Sequence, residues 1–585
     1  MKLSEIRTPA DIRKMDLSQL KALASEMRGA LIDKLSVHGG HVGPNLGMVE
    51  AVIALHYVFD TPEDKIVFDV SHQTYPHKML TGRMQAFTDA AHYDDVTGYT
   101  NPSESDYDLF SLGHTSSAVA LAAGIAKARD LKGDKENVVA VIGDGSLSGG
   151  VAFEGLDYGA TLGSNFIVVV NDNQMSIAEN HGGIYADLRL LRNTNGEGEP
   201  NLFRSMGYAY RYVRYGNDLK SLIEMFRSVK DITYPVVVHI NTEKGMGLKP
   251  AEEHKEEFHY SGPFDPKTGA PLQEESSEAE DYSEVFARKM LVLMKENQKV
   301  VTITAGTPGV LGFDKERRTE AGKQFVDVGI AEQAAVDVAS GLAKGGMRPV
   351  AGFVSSFLQR AYDQFSQDIA LNRQAATFVV FYGSMFGMND ETHLGFFDIA
   401  LLSNIPGLIF LAPTCREEFE AMLDWSVRQN EKAVVVRAPG GMAVSDKAVR
   451  ILDDYSRAEY DIVRKGSDIA LIGAGTMFTY TSLAADILAE KGVNVTLINP
   501  RNLSQPDTET LDKLKGYKVV VTAEDGIIDG GFGQKVASYL GEAPVKVINL
   551  GLPKKFENRY SYSALQKECG LTPEQIASAA LSALK

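Results

Sequence analysis

Short runs of β-branched and other apolar residues recur along this chain, separated by stretches in which apolar positions return every three or four residues. VVAVIGDG (138–145), FIVVVNDN (166–173) and PVVVHINTEKG (235–245) read as buried strands. Unbroken apolar runs of this length suit a parallel sheet covered on both faces. SSAVALAAGIAKARD (116–130) reads as a helix whose small residues allow close packing. A second series follows with KVVTITAG, QFVDVGIAEQ, RPVAGFVSS, AATFVVFYG, LIFLAP and AVVVRAPGG, and a third with SDIALIGAG, NVTLINPR, YKVVVTAEDG and VKVINLG. This alternation predicts an α/β protein with mostly parallel sheets. The N-terminal MKLSEIRTPADIRKMDLSQLKALASEMRGAL reads as amphipathic helix with acids and bases mixed.

With 585 residues the chain exceeds what one hydrophobic core organises. Polar, acidic KTGAPLQEESSEAEDYSE (267–284) marks a linker. The predicted division is a first domain over 1–270, a linker over 271–285, a second domain over 286–450 and a third over 451–585. A net charge of −18 argues against a broad nucleic-acid or anionic-membrane surface. No run of 18 apolar residues occurs, and the N-terminus lacks the apolar core of a signal peptide. Cys415 and Cys569 form neither a CxxC pair nor a disulfide framework, which points to a reducing compartment and hence to the cytoplasm.

The chemistry concentrates where strands end. Gly143-Asp144-Gly145 closes the first of these runs, and glycines there let a backbone approach a phosphate. By itself that is also the pattern of an ordinary tight turn. Asn173 follows at the end of the next run, a spacing that allows one crossover helix and a parallel neighbour. The Asp144 carboxylate, the Asn173 amide oxygen and the Met175 backbone carbonyl would then meet at one sheet end as hard oxygen donors suited to Mg2+.

This pair of motifs resembles the cofactor-binding signature of the transketolase-like thiamine diphosphate enzymes, and collinear segments extend the likeness to the 1-deoxy-D-xylulose-5-phosphate synthase family. They are GGHVGPNLG (39–47), DVSHQTYPHKMLTGR (69–83), SLGHTSSA (111–118), GDGSLSGGVAFEG (143–155), NDNQMSI (171–177), KGMGLKPAE (244–252), FHYSGPFDP (258–266), DVGIAEQ (327–333), FLQRAYDQ (357–364), THLGFFD (392–398) and LGLPKKF (550–556). The resemblance implies two thiamine diphosphate-binding folds followed by a transketolase C-terminal-like domain. It implies a homodimer using thiamine diphosphate and Mg2+ to join pyruvate, with loss of CO2, to glyceraldehyde 3-phosphate.

Carried over residue by residue, the resemblance makes Glu332 the carboxylate that activates the aminopyrimidine, a task that a raised pKa serves. On spacing alone, Glu332 would read as a first-turn glutamate favouring a helix dipole. The resemblance sets His72, Gly113, His114, Thr115, Gly145, Ser146 and Asn173 against the diphosphate, with Lys244 adding positive charge unless it is merely solvated, and Phe357 against the pyrimidine. His41, His259 and His393 would face the reacting carbonyls, and Arg360 the acceptor. His77 reads as a packed or surface histidine.

The chain departs from the family pattern where an acceptor phosphate would be held. Tyr382 and Gly440 stand in place of arginines, Asn389 in place of an aspartate, Val354 in place of a tyrosine, and Leu248 in place of an aromatic residue. Each charged hydrogen bond to a phosphate contributes about 1.5–3 kcal/mol. A related synthase or transketolase acting on a different, unphosphorylated aldehyde is therefore the second reading. A non-catalytic relative is a third, opposed by the retained acid, amide and histidine set.

Overall fold

The structure, a computed structural model, describes residues 3–272 and 280–584. They form two compact units, one of residues 3–272 with 329–331 and one of residues 280–328 with 332–584.

The first unit is built on a five-stranded sheet of β1 (Lys65–Phe68), β2 (Val138–Gly143), β3 (Phe166–Asp172), β4 (Ala209–Val213) and β5 (Pro235–Asn241). Their order is β1-β2-β3-β5-β4 and every pairing is parallel. Successive residues of a strand face opposite sides. Val139, Val141, Ile167 and Val169 therefore enter one core with helices Leu17–His38 and Gly43–Val58. Val138, Ala140, Val168 and Val170 enter another with helices Ala118–Lys132 and Gly150–Ala160. Those two helices approach closely, since a Cβ on Gly155 would come within 2.8 Å of the Ala120 nitrogen.

The N-terminal helix expected from the sequence is broken into a turn at Leu3–Glu5, a short helix at Pro9–Ile12 and the long helix from Leu17. Proline opens a helix but cannot continue one. Asp16 starts the next helix with a capping box, its carboxylate accepting the Gln19 N–H while the Gln19 side chain accepts the Asp16 N–H, both at 2.9 Å.

The second unit holds two sheets. One contains β6 (Val300–Thr304), β7 (Phe325–Asp327), β8 (Arg348–Val354), β9 (Thr377–Phe381), β10 (Leu408–Leu411) and β11 (Ala433–Ala438) in the all-parallel order β10-β11-β9-β8-β6-β7. The other contains β12 (Asp461–Arg464), β13 (Ile469–Gly473), β14 (Val495–Asn499), β15 (Val519–Ile527) and β16 (Lys546–Leu552) in the order β12-β14-β13-β15-β16. Only β12, at an edge, runs antiparallel to its neighbour. The strand before Glu332, expected to be buried, is the half-buried edge strand β7. Part of the expected linker, 273–279, lies outside the described residues. Its last residues already belong to a helix, Tyr282–Glu296, capped by Asp281.

Buried ion clusters tie β11 to the third sheet. The Arg437 guanidinium donates to both carboxylate oxygens of Asp398, at 2.7 and 3.0 Å, and also to Asp525 on β15. All three side chains are buried. Arg437→Met should leave two buried carboxylates without a counter-charge and cost about 3–5 kcal/mol. A lowered unfolding temperature at pH 8 checks this. Burial already raises the Asp398 pKa, so the deficit should shrink towards pH 5.5 as that carboxyl takes up a proton.

Candidate active site

In the first unit the candidate residues gather at the carboxyl ends of β1, β2, β3 and β5, where open α/β sheets place ligands. Asp144 follows β2, and its N–H donates to the Asn171 carbonyl on β3 at 3.0 Å. Gly145 is required by contact, because a Cβ there would come within 3.0 Å of Ser176. The Asn173 side-chain oxygen accepts the Met175 N–H at 3.2 Å and so shapes the turn that closes over Gly145. The Asn180 amide donates to Asp144 Oδ2 at 2.7 Å, while Asn180 Oδ1 and Ser176 Oγ are buried with no hydrogen-bond partner among the described residues.

Burial, and then the neighbouring Asp172, push the Asp144 carboxyl up to about 8. Asp172 is buried too, yet a 2.9 Å hydrogen bond from His239 and the charges of His239 and Arg192 hold it low. One aspartate is thus held as an anion behind another that is pushed towards its protonated form.

Lys244 lies beyond β5 and is 1% exposed, so its reading as a solvated loop lysine is wrong. Its Nζ donates to the Ser176 carbonyl at 2.7 Å, and burial brings its pKa down to about 7. The Gly113-His114-Thr115 turn is held from β1. Asp69 there accepts the Ser116 and Ala118 N–H groups at 2.8 and 3.0 Å, and the Ser116 hydroxyl donates to the Ser146 carbonyl at 3.0 Å.

Three of the candidate histidines form a cluster. The His41 and His72 ring centroids lie 5.0 Å apart, His72 and His259 5.1 Å, and His41 and His259 5.8 Å. Backbone pairing of Gly40 with Ser261 brings in the segment carrying His259. Burial, followed by the charge of Lys244, drives the His259 pKa well below the usual histidine value, so its imidazole is neutral. Its Nδ1 is buried without a hydrogen-bond partner among the described residues. His77 is a packed histidine, between His56 at 2.9 Å and Asp108 at 2.8 Å.

In the second unit Glu332 opens helix Glu332–Lys344 and is 2% exposed. Burial raises its pKa against the opposing charge of Arg360, whose Nη1 lies 3.3 Å from Glu332 Oε2 outside hydrogen-bond geometry. Phe357 meets His393 edge-on, their rings 5.3 Å apart, and the His393 ring contacts the Thr392 hydroxyl at 2.8 Å. Glu332 thus pairs with Arg360, and Phe357 with His393.

A profile described as 1-deoxy-D-xylulose-5-phosphate synthase matches residues 3–199. Profiles of the transketolase pyrimidine-binding domain and the transketolase C-terminal domain match residues 278–443 and 458–576. The 1-deoxy-D-xylulose-5-phosphate synthase of Pelotomaculum thermopropionicum is 37% identical across 99% of this chain and 96% of its own length. Synthase 1 of Geobacter sulfurreducens is 37% identical with the same coverage, and the Desulforudis audaxviator synthase is 37% identical over 97% of this chain and 95% of its own. The chain belongs to the 1-deoxy-D-xylulose-5-phosphate synthase family.

Within that family its departures have local structural reasons. A Cβ on Gly440 would come 2.5 Å from the Phe386 carbonyl oxygen and 2.6 Å from Gly387 Cα, so no arginine fits there with this loop in place. Tyr382, at φ +57°, packs against the core of the second sheet. Asn389 exchanges hydrogen bonds with the third sheet's last loop: its carbonyl accepts the Arg559 N–H at 2.7 Å and its amide donates to the Tyr560 carbonyl at 3.1 Å. Val354 and Leu248 are buried apolar packing residues. Asn45, Asp69, Ser176 and Asn180 were not singled out from the sequence. Asn45 and Ser176 sit inside matched segments beside more reactive residue types, and Asn180 lies in a polar loop without periodicity.

The folded-state pKa of Lys244 is depressed, so its charged form is disfavoured by folding. That cost is complete below about pH 7, where Lys244 is charged in both states, and fades as pH rises towards the unfolded value of 10.5. Lys244→Met should therefore raise the unfolding temperature of the cofactor-free protein most at pH 6 and hardly at all near pH 10.5.

Proposed function

We propose that this chain condenses pyruvate with glyceraldehyde 3-phosphate, releasing CO2 and forming 1-deoxy-D-xylulose 5-phosphate. The observation that carries the reading is full-length similarity to synthases of that name, together with retention of the whole candidate residue set. Because relatives across nearly the whole chain share this name, the reading with an unphosphorylated acceptor is not favoured.

The first unit's residues fit a magnesium diphosphate. A carboxyl raised to about 8 by burial and by the Asp172 charge, two buried oxygens unpartnered among the described residues and a lysine at the same sheet end are what such a group would complete. Among the described residues no three His, Cys, Asp or Glu side chains converge as a metal site. Asp144, the Asn173 amide oxygen and the Met175 carbonyl would accordingly hold Mg2+, which takes its other oxygens from phosphates and water. His72, Gly113, His114, Thr115, Gly145, Ser146 and Lys244 would hold the diphosphate, and Phe357 would pack on the pyrimidine. Thiamine diphosphate, when bound, supplies the carbanion chemistry that cleaves pyruvate.

The chain's own work is protonic and steric. Glu332, whose pKa burial raises, would in its protonated form donate a hydrogen bond to the ring nitrogen of the pyrimidine. The neutral His259, its neighbour His41 and, from the second unit, His393 would donate hydrogen bonds to the reacting carbonyl oxygens, and Arg360 would orient the acceptor. We read the three sheets as three domains divided near 270 and 450, and the assembly as a cytoplasmic homodimer. Among the described residues no helix is long and apolar enough to cross a membrane.

With thiamine diphosphate, Mg2+ and both substrates the purified protein should release CO2 and form 1-deoxy-D-xylulose 5-phosphate. Cofactor binding without either product would defeat the reading. Glu332→Gln should cut kcat by about 100-fold or more while the cofactor still binds, and unchanged turnover would refute its role. Asp144→Asn should remove the rise in unfolding temperature that Mg2+ and cofactor together confer on the parent protein.

A further inference from the structure

Asn45 is the third residue of helix Gly43–Val58, fully buried, and carries no reactive group. Its amide nitrogen donates to two backbone carbonyls, those of His41 at 2.7 Å and His72 at 2.8 Å, and its amide oxygen accepts the Tyr75 N–H at 2.8 Å. The partners dictate the orientation, because two carbonyls require a donor and an N–H requires an acceptor. Both amide hydrogens are used, and each goes to a segment carrying a candidate histidine.

A carbonyl carbon is bonded directly to its own Cα. Fixing the carbonyl oxygens of His41 and His72 therefore restricts the directions in which both side chains leave the backbone. The imidazoles that result meet edge-on at 5.0 Å and both face His259. Tyr75, the third partner, returns to the same place through its hydroxyl, 3.5 Å from the His41 N–H. A ring of contacts thus runs from Asn45 through both histidines, with one planar amide as the common rigid element.

We propose that Asn45 is a positioning residue of the reaction, setting the relative placement of the His41 and His72 imidazoles. The proposal rests on the reading of those histidines as active-site groups. An amide does this where an aliphatic side chain of equal size would not, since that side chain could make none of these three hydrogen bonds. Aspartate at 45 has the same shape and keeps the acceptor for Tyr75, but its ionised form offers the two histidine carbonyls no hydrogen.

The test compares Asn45→Asp and Asn45→Ala in the parent protein and in a His41→Ala background. Misplacing a reacting group by about 1 Å costs up to about 100-fold in rate. Both substitutions should thus lower kcat about 10- to 100-fold at saturating cofactor, with cofactor binding weakened through His72 and pyruvate KM changed less than about 3-fold. In the His41→Ala background the same substitutions should cost at least about 5-fold less than in the parent, because residues acting through one another are not additive. A kcat for Asn45→Asp within twofold of the parent, or equal losses in both backgrounds, would overturn the proposal. A crystal structure of Asn45→Asp gives a reading independent of turnover. The His41–His72 centroid separation should move from 5.0 Å, and an unmoved pair would also overturn it. Should the parent lack synthase activity, the functional reading fails while this structural comparison still decides the placement.

Discussion

Parallel pairing of β2 with β3 is the constraint on which the first unit depends. Gly143 pairs with Asn171, and the Asp144 N–H reaches the Asn171 carbonyl one step further on. This register sets the acid and the amide turn side by side without asking either side chain to reach. A two-residue slip along the strands would carry Asp144 about 7 Å away from the turn. The alternation of Val138 through Val141 between two cores resists a one-residue slip, because it would send each side chain into the opposite core, among neighbours it does not pack against. Apolar packing along the strands therefore sets the position of polar groups at their ends.

Much of this was legible in the sequence because parallel strands buried on both faces read as unbroken apolar runs. The strands from Val138, Phe166, Pro235 and Thr377 fall inside the predicted segments. Strands β1, β4 and β12 left weaker traces. Two of them have four residues, and β4 and β12 lie at sheet edges with polar residues such as Arg211 and Arg464 turned outwards. The break at Pro9 and Asp16 was written in cap chemistry rather than in periodicity. Within the candidate site, reactive residue types drew attention and the groups that orient them did not. Asp69, Asn45 and Asn180 work through backbone contacts that no spacing rule reveals.

Burial, rather than pairing, governs the ionisation of this site. Asp144 and Glu332 are held towards their protonated forms, and Lys244 and His259 towards their neutral ones. Such groups cost stability when charged, and two of them, Asp144 near 8 and Lys244 near 7, are ready to exchange protons near neutral pH. The ion clusters elsewhere show the opposite arrangement. Arg437 between Asp398 and Asp525, and Arg501 between Glu418 and Asp461, neutralise their charges in place. Rigid, matched charge supports the second unit, while unmatched charge collects where chemistry is proposed.

Gly440 bears on which single replacements this loop can accept. Its missing side chain makes room for the Phe386–Gly387 backbone, and that loop is in turn hooked by the Tyr560 and Tyr562 hydroxyls through the carbonyls of Met385 and Gly387. Glycine, loop path and hooks form one block. A side chain at 440 would meet backbone rather than an open place, so a larger residue enters there only together with another path for the whole loop.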